Sequence, residues 1–299
     1  MSTPGSFGRV PRPSITAAGL LSLFLVVPAA LVVGVVYHFI GQHLDLVIIF
    51  PLLAGACVGG VLAARSKKHK IRSKSALVAF GVLGGLLCFS ARWAGDIAQA
   101  REEFIPIRAQ KLSGGNPALA AKLEAPLRRV WTPLRFAKVY LKYAEKEGTT
   151  ISDVGASSSS VHNSAITGTG FWLLTAFDAL LMCGAAAGVG LKQASSPFCV
   201  PCDSWYGIES AVSRLHPNQS NDAAKLASSG QWAGLGGLRS AGATAKSHCD
   251  ILLSKCPGCA NGHLSVKRQV GNNIKTLWKG AVTPADTQKL EEVRAQWLQ

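Results

Sequence analysis

The chain has 299 residues, of which 48% are apolar and 16% charged, and its formal net charge is +15. Soluble domains usually carry about 25% charged residues, so a wholly soluble globule is excluded. The apolar content also excludes a disordered chain, and eight cysteines in this length are too dilute for a disulfide scaffold.

What remains is an integral membrane protein, multi-pass and mainly α, whose charges are segregated into polar blocks. Residues 1–14 hold Arg9 and Arg12 and form an N-terminal tail. Residues 15–40 are an uninterrupted apolar run, long enough to cross a hydrocarbon core of about 30 Å at about 1.5 Å per residue. The run is too long for the apolar core of a signal peptide, so it is expected to be retained. Pro28 should kink it, whereas Pro51 can sit near the start of the second run, residues 46–64. A third run covers residues 75–91 and a fourth residues 168–191, which makes four transmembrane helices.

The loop between the second and third runs holds Arg65, Lys67, Lys68, Lys70, Arg72 and Lys74 without an acid, and such loops stay on the cytoplasmic side. Both termini are therefore expected to be cytoplasmic, and residues 96–167 extracytoplasmic. Each run pairs small residues four apart: Ala30 and Gly34, Gly55 and Gly59, Gly81 and Gly85, Gly184 and Gly188. That spacing favours close helix packing in lipid, within one bundle or between two copies of the chain. Asp178 is the one ionisable residue well inside a run. It is expected to hydrogen-bond Ser90, Thr175 or a backbone carbonyl; a small transporter using Asp178 is the functional alternative.

The extracytoplasmic block reads as two or three amphipathic helices, one over Ala118 to Leu127 and one from Pro133, with Gly148 as a stop. A linker containing Ser157 to Ser160 follows. Residues 192–299 form a separate polar region containing two CxxC pairs, Cys199 with Cys202 and Cys256 with Cys259. Thiolates at this spacing can share one metal ion. The second pair is flanked by alternating Ile251 and Leu253, then Leu264, Val266 and Val270, which predicts a hairpin with the cysteine turn at its tip.

On these residues the segment 198–271 resembles a zinc ribbon, in which two cysteine knuckles clamp one structural zinc. The resemblance implies that Cys199, Cys202, Cys256 and Cys259 are the metal ligands and that the cytoplasmic domain is small and α+β. It departs from the usual pattern in its spacing, because 53 residues separate Cys202 from Cys256 against roughly 15 to 20. The insertion is expected to hold one helix carrying Trp205, Ile208, Ala211, Val212 and Leu215, and another over Ala223 to Ala227. Thiol-disulfide redox pairs, an iron-sulfur cluster and disulfides remain alternatives for the four cysteines. Cys249, His248 and His263 are spare candidate ligands. Thr283, Pro284 and Asp286 then open a terminal helix.

The chain lacks GxSxG, Walker-type, HExxH and dinucleotide-binding motifs. The expected function is therefore non-enzymatic. The four-span protein would present a zinc-stabilised cytoplasmic module to a protein partner or a second copy of itself, in assembly or regulation of a membrane complex. Its other partner is the lipid bilayer. In residues 192–299, twelve basic against seven acidic residues, without basic clusters interleaved with aromatics, disfavour nucleic acid. No small-molecule substrate is legible. A membrane thiol oxidoreductase is the competing class.

Overall fold

The computed structural model describes residues 17–41, 48–147, 166–241 and 245–297. The N-terminal tail, the connection holding Asp45, the stop at Gly148 and the serine linker lie outside the described residues. The chain divides into two compact units, Met1–Ser195 and Ser196–Gln299.

In the first unit the initial apolar run forms α1 (Ala17–Leu23) and α2 (Val26–Gly41), interrupted at Phe24 and Leu25. Pro28 accounts for the interruption. It has no amide hydrogen, and its ring abuts the carbonyl four residues back, that of Phe24, which instead accepts a tighter bond from Val27 at 3.0 Å. Next come α3 (Ile49–Lys68), with Pro51 in its first turn, and α4 (Lys74–Leu112). Ser73 caps α4 by accepting a hydrogen bond from the Ala76 amide at 3.3 Å. Then follow α5 (Pro117–Val130), α6 (Pro133–Glu147) and α7 (Thr169–Ala194). Four helical segments, Ala17–Gly41, Ile49–Lys68, Lys74–Leu112 and Thr169–Ala194, are long and apolar enough to cross a membrane.

Backbone proximity in this bundle depends on glycine. A Cβ on Gly85 would lie 2.6 Å from Cys183 Cα, and one on Gly81 would lie 2.6 Å from Ala187 Cα. Gly55 and Gly59 likewise meet Met182 and Ala186, so two glycine pairs, one on α3 and one on α4, let both helices press against α7. Gly184 and Gly188 face open space.

The third run extends further than expected. Residues 75–91 and the start of the polar block form a single 39-residue helix, α4. At about 1.5 Å per residue it is about 58 Å long, nearly twice a hydrocarbon core. Nothing between Arg92 and Ala100 breaks it, and Pro106 is accommodated near its far end.

The second unit opens with a two-stranded ribbon, β1 (Phe198–Cys199) and β2 (Ser204–Trp205). Its main sheet has four antiparallel strands in sequence order: β3 (Ser210–Leu215), β4 (Ser247–Lys255), β5 (Gly262–Val270) and β6 (Asn273–Val282). The helices are α8 (Ser220–Ser229), α9 (Trp232–Gly236) and α10 (Pro284–Trp297). They cover one sheet face, burying Leu215, Trp232, Ile251, Leu264, Leu290 and Val293 in a common core.

The β4–β5 hairpin has the expected cysteine turn at its tip. α10 starts as expected: Thr283 Oγ1 accepts from the Asp286 amide at 3.2 Å and donates to the Asp286 carboxylate at 2.7 Å. The expected helix over residues 205–215 is absent; Trp205 ends β2, and Ala211, Val212 and Leu215 lie in β3. Pairing with β4, through a register shift between Ala211 and Ser213, overrides the helical apolar spacing. The helix over Ala223 to Ala227 is present within α8.

Candidate metal centre

Each cysteine pair sits in a turn whose backbone is shaped to aim two sulfurs inward. In the first, Cys199 pairs with Ser204 across the β1–β2 ribbon, and the turn closes with Asp203 N–H donating to Val200 O at 3.2 Å. In the second, the Cys256 amide donates to Asn261 O at 2.8 Å at the tip of the β4–β5 hairpin. The residue after the second cysteine has positive φ in both turns: 48° at Asp203 and 57° at Ala260. This shared departure from ordinary backbone makes the two turns equivalent knuckles.

The knuckles meet through backbone as well as sulfur. Gly207 N–H donates to Lys255 O at 2.9 Å, tying the exit of the ribbon to the base of the hairpin. A Cβ on Gly258 would lie 3.1 Å from Cys202 Sγ, so a larger residue would displace that sulfur by a few tenths of an ångström. As a result the four sulfurs of Cys199, Cys202, Cys256 and Cys259 all lie within 4.8 Å of one another. One contact of 3.5 Å, Cys199 Sγ to Cys259 Sγ, bridges the two pairs. No disulfide forms. A tetrahedral ion with metal–sulfur bonds of about 2.3 Å requires sulfur–sulfur edges of about 3.8 Å, within what this cluster offers. The donor set therefore fits a metal ion.

The surrounding dipoles favour negative sulfur. The Ser204 hydroxyl lies 3.3 Å from Cys256 Sγ, and Gly258 N–H donates to the same sulfur at 3.4 Å. Burial pushes the Cys256 thiol up, but hydrogen bonds from Ser204, Gly258 and Cys259 outweigh it and bring the thiol down to about 6. Cys202 moves the other way, to about 12, through its contact with Cys259 and then burial. Burial also raises Cys199. A thiolate at Cys256 opposes ionisation of Cys199 and Cys202, and a divalent cation would relieve that competition.

Among the described residues, the spare candidates do not join the cluster. Cys249 is fully buried in the sheet core. His248 binds Ala245 O and Asp250, while His263 packs beside Tyr206 with ring centroids 5.7 Å apart. Sequence reasoning did not anticipate Ser204, Gly207 or Gly258. The strain at Ala260 has a measurable consequence. An L-residue at positive φ costs about 1 to 2 kcal/mol, so Ala260→Gly should stabilise the second unit by about 1 kcal/mol, read as a raised thermal midpoint. A lowered midpoint would contradict this account of the turn.

A second polar cluster lies in the first unit, where Asp178 has a different partner from those expected. Ser90 donates to Leu86 O and Thr175 to Phe171 O, each within its own helix. Asp178 Oδ2 instead accepts from Arg92 Nη1 at 3.2 Å. Arg92 also lies 3.9 Å from Asp96 and 4.5 Å above the Tyr37 ring. Asp96 Oδ1 is 2.6 Å from His38 Nδ1, and Gly95 leaves room for that ring. The chain of contacts joins α2, α4 and α7.

Neither a protein-family model, nor a curated protein, nor a solved structure matches this chain. The class defined by fold and site is a bundle of four membrane-length apolar helices together with a small antiparallel-sheet unit carrying a four-cysteine cluster compatible with a metal ion.

Proposed function

We propose that this chain is a non-enzymatic multi-pass membrane protein whose second unit is a zinc-held module for binding a protein partner, in the assembly or regulation of a membrane complex. The observation that carries this reading is the convergence of four sulfurs from two equivalent knuckles into one closed group. A closed all-sulfur set with no position for water is the pattern of structural zinc. Cys199, Cys202, Cys256 and Cys259 would hold the ion, which supplies cohesion between the ribbon and the hairpin. The contact bridging the pairs supports a shared ion over two separate dithiols, which would each need a partner within its own turn.

Beside the cluster, Ile208 is 96% exposed and Val200 42% exposed. These exposed side chains offer a partner protein an apolar contact at the first knuckle and just past Gly207. The basic loop of Arg65, Lys67, Lys68, Lys70, Arg72 and Lys74 supports a cytoplasmic position for that loop and for both termini. Reporter fusions after Gly148 and after Gln299 are then expected on opposite sides of the membrane; labelling from one side would contradict the four-span topology. The pairing of Asp178 with Arg92 supports a packing role for that acid over a transport role. The partner reading is tested by recovering complexes from mild detergent with the full chain and with Ile208→Asp. Loss of a stoichiometric partner with zinc content unchanged supports it. Recovery of the chain alone in both cases, together with dithiol–disulfide cycling and no metal, would replace it with the oxidoreductase.

A further inference from the structure

The far end of α4 and the facing side of α6 diverge to leave an open groove of about 550 Å³. Its two walls are helical stripes. Phe104, Ile107, Arg108 and Lys111 recur at i, i+3, i+4 and i+7 on α4, opposite Val139 and Tyr143 on α6. The volume lies within the range of about 300 to 1,000 Å³ typical of ligand sites, and the lining is apolar and aromatic with few polar groups. Ile107, Val139 and Tyr143 remain 54%, 48% and 60% exposed, so no described residue of this chain fills the space.

The polar groups are arranged asymmetrically. Glu103 is engaged by Gln99 Nε2 at 3.0 Å. The side chains of Arg108 and Lys111, one turn apart, form no hydrogen bond or ion pair with any described residue. Arg92, Arg101 and Arg128 are paired, and the other unpaired cations of these helices, among them Lys122, Arg129, Lys138, Lys142 and Lys146, lie outside the groove lining. An apolar slot ending in two uncompensated cations is complementary to an anionic amphiphile. The same helix carries an apolar, membrane-length segment, and Phe104 lies 13 residues, about 20 Å, past its end at Ala91, so a lipid reaches the groove by leaving the hydrocarbon core along α4.

We infer that this groove binds an anionic phospholipid, with an acyl chain against Phe104, Ile107, Val139 and Tyr143 and the phosphate held by Arg108 and Lys111. Each cation near an anionic headgroup contributes about 1 kcal/mol, so the pair confers selectivity over a neutral lipid. The inference rests on the membrane reading of the apolar helices and goes beyond the partner-binding role of the second unit.

The test reconstitutes the full chain in vesicles containing either phosphatidylglycerol or phosphatidylcholine with a photoactivatable acyl chain, and maps the labelled peptides. The expected result is labelling of the α4 segment around Ile107 and the α6 segment around Val139, on the order of thirtyfold stronger with phosphatidylglycerol, as two cations at about 1 kcal/mol each require. The double substitution Arg108→Gln with Lys111→Gln should bring the groove to the phosphatidylcholine level while leaving the apolar helices labelled. Lys122→Gln with Arg129→Gln, on α5 outside the groove, should change nothing. Label confined to the apolar helices, equal labelling by both lipids, or a co-purifying peptide cross-linked in the groove overturns the proposal and leaves the membrane reading standing. Absence of label from the apolar helices as well overturns both.

Discussion

Cys256→Ser is expected to cost the second unit its fold. The unit is held by a sheet core on one side and by two knuckles on the other. The knuckles sit 53 residues apart in sequence, so they converge only when the chain folds. Metal affinity gained on folding becomes folding free energy, on the order of 10 to 16 kcal/mol in small zinc modules. Whole domains are stable by only about 5 to 15 kcal/mol. Removing one of four thiolates also removes the acceptor that Ser204 and Gly258 address, leaving both without their sulfur partner. Loss of protease resistance and of a cooperative thermal transition in the full chain should follow, and a chelator should reproduce it. Cys57→Ser, an exposed thiol on α3, is the control and should change neither. A Cys256→Ser protein as protease-resistant as the parent, and insensitive to chelator, would remove the metal from the stability argument.

Arg92→Leu should have the second largest effect. The guanidinium faces Asp178 and Asp96 from one position on α4 and stacks on Tyr37 of α2. Without it, Asp178, whose side chain is only 13% exposed, keeps a carboxylate with no cationic partner, and its Oδ1 already lacks a hydrogen bond. Breaking one side of a buried pair costs about 3 to 5 kcal/mol, and the 25% exposure of Arg92 argues for the lower end. Arg92→Leu combined with Asp178→Leu should recover most of the loss, because the buried Asp178 charge goes with its partner while Asp96 keeps its contact with His38. Thermal stability in detergent decides the matter; a double variant destabilised by the sum of the Arg92→Leu and Asp178→Leu losses would show that the pair carries no coupling.

The contrast between these two sites shows what sequence alone exposes. The apolar runs were legible because charge is excluded from them over a fixed length, and the structure has four helices of that kind. The hairpin around Cys256 and Cys259 was legible from alternation, and the start of α10 from its capping residues. β3 was hidden because Trp205, Ile208, Val212 and Leu215 imitate a helical repeat, and only the β4 partner selects the strand. β6 was missed despite a two-residue turn at Gly271, whose φ is +57° and which mates Val270 with Asn273. Arg92 shows no role in the sequence because its apolar run stops one residue earlier, yet α4 continues as helix and carries it to Asp178. Non-local partners of this kind leave no local trace. The convergence of the cysteine pairs was inferable from residue type and spacing, whereas the Gly258 approach and the Ser204 contact required three dimensions.

The central claim is a single ion shared by the four sulfurs. It is tested most directly by metal analysis of the intact chain, purified from mild detergent under reducing conditions, with protein concentration determined on the same sample. One zinc per chain, falling to none in Cys256→Ser, is the expected result. Metal-free protein that retains its fold, or iron with labile sulfide in place of zinc, would contradict it.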